Sequence, residues 1–181
     1  MAFFIVYFAL LCYNQQAFHH TQRVNDDKLG DGDMNAKRMD LSYARMLVVD
    51  DNKTNLDIVK GLLGLYGIKA DCTTSGQEAV GMLRSEAVKY DAVFMDLIMP
   101  EMDGLETTRI IREEIGTQYA MDIPIFALTA NTVAGNEDMY LASGFQEVVS
   151  KPIAAGTLET ILRLWVYDKN KEAELLRKEQ N

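Results

Sequence analysis

The stretch AVFMDLIMPEMDG, residues 92–104, decides how this chain is read. Its first four residues, Ala92 to Met95, form an apolar run too short for a helix and suited to a strand buried on both faces. Asp96 stands directly at the end of that run. Pro100 and Gly104 mark a loop, and helical spacing resumes over residues 107–115, TTRIIREEI.

The same order of parts recurs to either side. Upstream, residues 46–49 (MLVV) read as a buried strand followed at once by Asp50 and Asp51. Leu56, Val59, Leu63 and Tyr66 then fall at helical spacing, and Gly67 can end that helix. Residues 68–72 read as a weaker strand, and Ser75 can cap a helix carrying Ala79, Met82 and Leu83. Downstream, residues 125–128 (IFAL) form a fourth strand with Thr129 at its end. A polar helix is expected through residues 132–142. Val148 and Val149 make a fifth strand, followed by Ser150 and Lys151, and Leu158, Ile161, Leu162 and Trp165 mark a last helix. Regular alternation of apolar strands and helices predicts an α/β fold: a flavodoxin-like, doubly wound five-stranded parallel sheet, a (βα)5 sandwich, over residues 44–167.

The flanks read differently. Residues 1–22 carry no Asp, Glu, Lys or Arg, and residues 3–13 are almost wholly apolar. Such a run is too short to cross a ~30 Å hydrocarbon core as a helix, and no basic residue precedes it as a secretory signal would require. Three readings stay open for it: a membrane-associating segment, a remnant of a longer protein, or a mis-assigned start. Residues 23–43 read as a charged linker. Within it Asp31, Asp33 and Asn35 alternate as in a calcium loop, but Ala36 and Ser42 stand where that loop needs Gly and Glu. Residues 168–181 read as a charged, helix-prone tail that extends the last helix.

Composition excludes several classes. The chain has 181 residues, 27 acidic and 18 basic, for a net charge of −9, which argues against a nucleic-acid partner. Two cysteines cannot build a disulfide framework or a thiolate zinc site, and their scarcity fits a reducing, cytoplasmic setting. Gly61, Gly64 and Gly67 are spaced by threes and follow a helical segment, so dinucleotide binding fails on context. His19 and His20 lie outside the domain, in a stretch with no helical-bundle pattern.

Position carries the chemistry. Asp50, Asp51, Asp96, Thr129 and Lys151 each stand where a parallel strand ends, and those ends form the ligand crevice of an open α/β sheet. Three carboxylates packed together repel one another, and a hard divalent cation relieves that repulsion. Oxygen donors with several waters suit Mg²⁺ and leave positions open for phosphoryl oxygens. Lys151 adds a compact positive charge and Thr129 a hydroxyl, which match a phosphoryl group in transfer. A carboxylate can itself be the nucleophile, giving an aspartyl phosphate, and Asp96 at the end of the central strand is the candidate.

The segments LVVDDN, FMDLIMPEMDG, ALTA and SKPI, in that order and spacing, resemble the response regulator receiver domain over residues 44–166. The resemblance implies that Asp96 accepts a phosphoryl group from a phosphohistidine of a sensor histidine kinase or a histidine phosphotransfer protein. It implies that Asp50, Asp51, Asp96 and the backbone carbonyl of Ile98 hold Mg²⁺. It implies that Thr129 bonds the phosphoryl oxygen and shifts as a switch, and that Lys151 pairs with the phosphoryl group, with a cis bond to Pro152. Such a domain catalyses its own phosphorylation and dephosphorylation without turning over an external substrate. A phosphatase would carry an acidic residue two positions after the nucleophile, where this chain has Ile98.

The sequence departs from the family at Val148, where most members carry Tyr or Phe as the second half of the switch; Phe145 is near but out of register. Ile98 and Asn131 occupy the positions that tune hydrolysis of the aspartyl phosphate in the family. The sixteen residues after Trp165 are too few for a DNA-binding output unit, and the text around DDNKTNLDIVKGLLGLYG resembles receivers attached to hybrid sensor kinases. The expectation is a hybrid-kinase-type receiver or a fragment of one, with no nucleic-acid partner and no firm membrane contact. The family's usual dimer face, on its fourth and fifth helices, makes a homodimer a further expectation. The rival reading is a receiver-fold interaction module that works without phosphorylation.

Overall fold

The structure, a computed structural model, describes residues 39–130 and 137–179. The apolar segment 1–22, linker residues 23–38 with the calcium-like run, His19, His20, Asn131 and the start of the polar helix lie outside the described residues. Five strands, β1 (Arg45–Val49), β2 (Lys69–Thr73), β3 (Ala92–Asp96), β4 (Ile125–Thr129) and β5 (Glu147–Ser150), form one parallel sheet in the order β2-β1-β3-β4-β5. The helices are α1 (Lys53–Gly64), α2 (Gly76–Ser85), α3 (Gly104–Glu114), α4 (Gln118–Asp122), α5 (Glu137–Ala142), α6 (Ala155–Trp165) and α7 (Lys169–Glu179).

Alternation along the strands builds a core on each face of the sheet. Met46, Val48, Phe94, Phe126 and Leu128 face one layer with Leu56, Val59 and Leu63 of α1 and Leu158, Ile161 and Leu162 of α6. Leu47, Val49, Val93, Met95, Ile125 and Ala127 face the other with Ala79 and Leu83 of α2, Ile111 of α3 and Phe145. The Phe94 and Phe126 rings lie 5.2 Å apart across the β3–β4 ladder, and Trp165 closes on Phe126 at 6.3 Å. Burying each such side chain is worth about 1.5–3 kcal/mol, so β1, β3 and β4, buried almost throughout, anchor the fold.

The helix starts follow local chemistry. Asn52, Ser75, Asp103 and Thr117 each accept a backbone N–H from the first turn, of Thr54, Glu78, Glu106 and Ala120 respectively. Gly67, with φ +76°, turns the chain out of α1.

Three expectations change. The packed domain begins before Ala44: Met39 and Leu41 are buried, and the Leu41 N–H donates to the Tyr66 carbonyl at 2.8 Å. The charged composition around them hid two core residues. Helix α4 lies where no helix is expected, and the Thr117 hydroxyl caps it by accepting the Ala120 N–H. The tail does not prolong α6. The helix is interrupted at residues 166–168, and the Asp168 carboxylate accepts the Asn170 N–H at 2.8 Å as α7 begins. The Tyr43 hydroxyl accepts the Asp168 N–H at 2.8 Å, which ties the start of α7 to the chain just before β1.

Arg112 pins α3 to its surroundings. Its guanidinium donates to the carbonyls of Ala120 (2.8 Å) and Gly144 (2.8 Å) and to Gln146 Oε1 (2.9 Å). Burial pushes it down to about 10, so it stays charged at neutral pH, and uncharged oxygens carry the bonds. Among the described residues, no helix is long and apolar enough to cross a membrane.

Candidate functional site

Parallel pairing sets the carboxyl ends of the strands level. Val49 pairs with Met95, Asp96 with Leu128, and Thr129 with Ser150. Asp50, one residue past β1, and Lys151, one past β5, therefore meet Asp96 and Thr129 at one rim. One oxygen each from Asp50, Asp51 and Asp96 lie within 4.8 Å of one another. Asp50 is fully buried, Asp96 and Thr129 are nearly so, and Asp51 is exposed.

Lys151 joins the buried pair. Its Nζ lies 2.6 Å from Asp50 Oδ2 and 2.8 Å from Asp96 Oδ2. Burial works against the ammonium, but the hydrogen bonds and charges of Asp50 and Asp96 outweigh it and hold its pKa above the ordinary lysine value. The Lys151 N–H also donates to the Thr129 carbonyl at 2.8 Å, and the Lys151–Pro152 bond is cis.

The loop after β3 wraps back on the acid. The Ile98 N–H donates to Asp96 Oδ1 at 3.2 Å, while the Ile98 side chain stands in solvent at 75% exposed. Gly104 starts α3 directly against the Asp96 backbone: a Cβ there would lie 2.2 Å from the Asp96 carbonyl oxygen. Val148 is half-buried and packs on the layer containing Met95 and Phe145. Phe145 is locked in that layer, edge-on to Tyr140 at 6.5 Å, and supplies no ring at the position Val148 occupies.

Two residues not singled out from the sequence belong to the site. The Asn52 N–H donates to Asp50 Oδ1 at 2.9 Å. The Asn55 amide donates to Asp50 Oδ1 at 3.0 Å and Oδ2 at 3.1 Å. The signal for Asn55 was its spacing: one helical turn beyond the acidic pair, it points back over the strand end.

The donor set fits a hard divalent cation, being oxygens of three carboxylates with one open to solvent. The same rim offers an ammonium and a hydroxyl to an incoming anion.

Comparison with known proteins agrees with this architecture. Residues 46–163 match the family model of the response regulator receiver domain. The chain is 38% identical over 122 residues to probable histidine kinase 6 of Oryza sativa subsp. japonica, covering 59% of this chain and 12% of that protein. It is 41% identical over 122 residues to the osmosensing histidine protein kinase SLN1 of Saccharomyces cerevisiae, covering 65% of this chain and 10% of that protein. It thus spans only about an eighth of the curated relatives' length. Among solved structures, the receiver domain of sensor histidine kinase PA1611 from Pseudomonas aeruginosa PAO1, with a magnesium ion coordinated in its active site cleft, is similar. That likeness has a TM-score of 0.59 and 31% identity, covering 67% of this chain and 96% of that one.

Proposed function

The chain belongs to the response regulator receiver domain family, and from that premise we propose that Asp96 takes a phosphoryl group from a phosphohistidine of a sensor histidine kinase or a histidine phosphotransfer protein. The observation that carries this reading is the Lys151 ammonium held between Asp50 and Asp96 at 2.6 and 2.8 Å. An Asp96 carboxylate oxygen attacks phosphorus, the P–N bond breaks, and the electron pair leaves with the imidazole nitrogen. Asp50, Asp51, Asp96 and the Ile98 carbonyl would hold Mg²⁺, which when bound offsets negative charge on the phosphoryl oxygens. Lys151 turns from Asp96 to a phosphoryl oxygen once the carboxylate has become an acyl phosphate. The Thr129 hydroxyl donates to another. Val148 offers no ring to follow Thr129, so less packing distinguishes the phosphorylated state than in members with an aromatic residue there. A homodimer through the α5–α6 face and a cytoplasmic setting complete the proposal.

The test is incubation of the chain with acetyl phosphate and MgCl₂. The expected result is a hydroxylamine-labile acyl phosphate on Asp96 that is absent in Asp96→Asn and without Mg²⁺. No labile phosphoryl group with any donor would refute the reading and leave the phosphorylation-independent module.

A further inference from the structure

Asn55 has a place in the site that the phosphoryl chemistry does not use. Helix α1 is already capped by Asn52, whose side chain accepts the Thr54 N–H at 2.9 Å. A second asparagine at the third helical position adds nothing to the cap, and asparagine is a weak helix former. Its amide instead spans both oxygens of Asp50, at 3.0 and 3.1 Å.

Asp50 is fully buried, so the chain must supply what water would. Three donors do so: the Asn52 N–H, the Asn55 amide and Lys151 Nζ. Lys151 is shared with Asp96. Asn55 is the one side-chain donor that serves Asp50 alone among these contacts. It is also uncharged. A cation in its place would balance Asp50 equally well but would oppose a divalent ion approaching the three carboxylates.

We propose that Asn55 is a positioning residue for the cation site: its amide fixes the plane of the Asp50 carboxylate and thereby sets the affinity for Mg²⁺. This rests on the reading of the rim as a Mg²⁺ site. With the amide present, Asp50 keeps an oxygen within 4.8 Å of oxygens from Asp51 and Asp96. Without it, Lys151 Nζ still draws on Asp50 Oδ2 at 2.6 Å, and the carboxylate turns toward the ammonium and away from the cation's position.

The full chain is titrated with MgCl₂ and followed by backbone amide NMR shifts at the strand ends, with urea unfolding in EDTA run in parallel. Asn55→Leu, which keeps the branching of the side chain and removes the donors, should weaken Mg²⁺ binding by about tenfold or more, the usual effect of losing a partner behind a metal ligand. Asn55→Gln, which restores an amide on a longer stem, should recover most of that affinity. A residue serving only the fold would lower the urea midpoint and leave the affinity alone. Asn55→Leu binding Mg²⁺ as tightly as the unaltered chain overturns the inference. Should Asn55→Leu not fold, Asn55→Ala gives the same comparison. Asp51→Asn separates the two layers of argument. If it abolishes the Mg²⁺ response while Asn55→Leu does not change it, the positioning role fails and the site stands. If the unaltered chain shows no Mg²⁺ response, both fail.

Discussion

Gly104→Ala tests how tightly the phosphoacceptor strand is held. Gly104 is the first residue of α3, and its N–H donates to the Leu97 carbonyl at 3.1 Å. An added Cβ would sit 2.2 Å from the Asp96 carbonyl oxygen, 2.9 Å from its carbon and 3.0 Å from Leu97 Cα. Unstrained contacts of this kind need about 3.5 Å, so α3 and the end of β3 must separate by roughly 1 Å. All three neighbours are backbone atoms, and none can swing aside as a side chain would. Overpacking costs about 1–3 kcal/mol, and the rigidity of these neighbours puts Gly104→Ala at the upper end. For a domain of this size that lowers Tm by roughly 10 °C. The control is Gly61→Ala, inside α1, where an added Cβ meets nothing within 4 Å. There the methyl removes glycine's backbone freedom and should stabilise by about 0.5–1 kcal/mol. Urea unfolding of both variants in EDTA reads the two signs. Acyl phosphate formation should fall in Gly104→Ala, because the shift displaces Asp96, and hold in Gly61→Ala. Gly104→Ala as stable as the unaltered chain, or an equal loss in Gly61→Ala, refutes the close-approach argument.

Lys151→Met leaves two buried carboxylates without their shared ammonium and should destabilise the Mg²⁺-free chain by about 3 kcal/mol, the cost of stranding a buried charge. Millimolar MgCl₂ should return part of that loss, which calorimetric melts with and without the ion will measure. Tyr90 is buried and donates to Asp71 Oδ2 at 2.8 Å; burial first, then the Asp71 hydrogen bond and charge, push its phenol up to about 12. A folded pKa above the unfolded value of ~10 means that this stabilisation is complete below pH 10 and is lost as pH rises from there through 12. Tyr90→Phe should cost about 1 kcal/mol at neutral pH and flatten that alkaline decline. Tyr43 and Tyr119, whose phenols burial also raises, leave a residual slope.

Much of the site was legible because two periodicities coincide in this fold. A strand buried on both faces must be apolar throughout, so the first polar residue after MLVV, AVFM and IFAL marks its end, and parallel pairing brings such ends together. Capping chemistry was equally local, as at Ser75. Other residues gave no such sign. Arg112 sits in RIIREE, which reads as a solvated helix face, and only the fold brings the Gly144 and Ala120 carbonyls over it. Met39 and Leu41 are two apolar residues in charged surroundings, and their burial depends on the loop around Tyr66 and Gly67 that meets them. Helix α4 is a single turn, too short for periodicity to declare.

By itself the sequence determined the α/β alternation, the strand ends and the kinds of side chain that stand there, since these follow from hydrophobic period and position along the chain. Only the tertiary structure decided how those side chains pair. Lys151 spans Asp50 and Asp96 across 101 and 55 residues of chain, and Asn55 turns its amide to Asp50 rather than to its own helix. Charge neutralisation in a buried cluster depends on distances between segments far apart along the chain, and those distances exist only once the sheet has assembled.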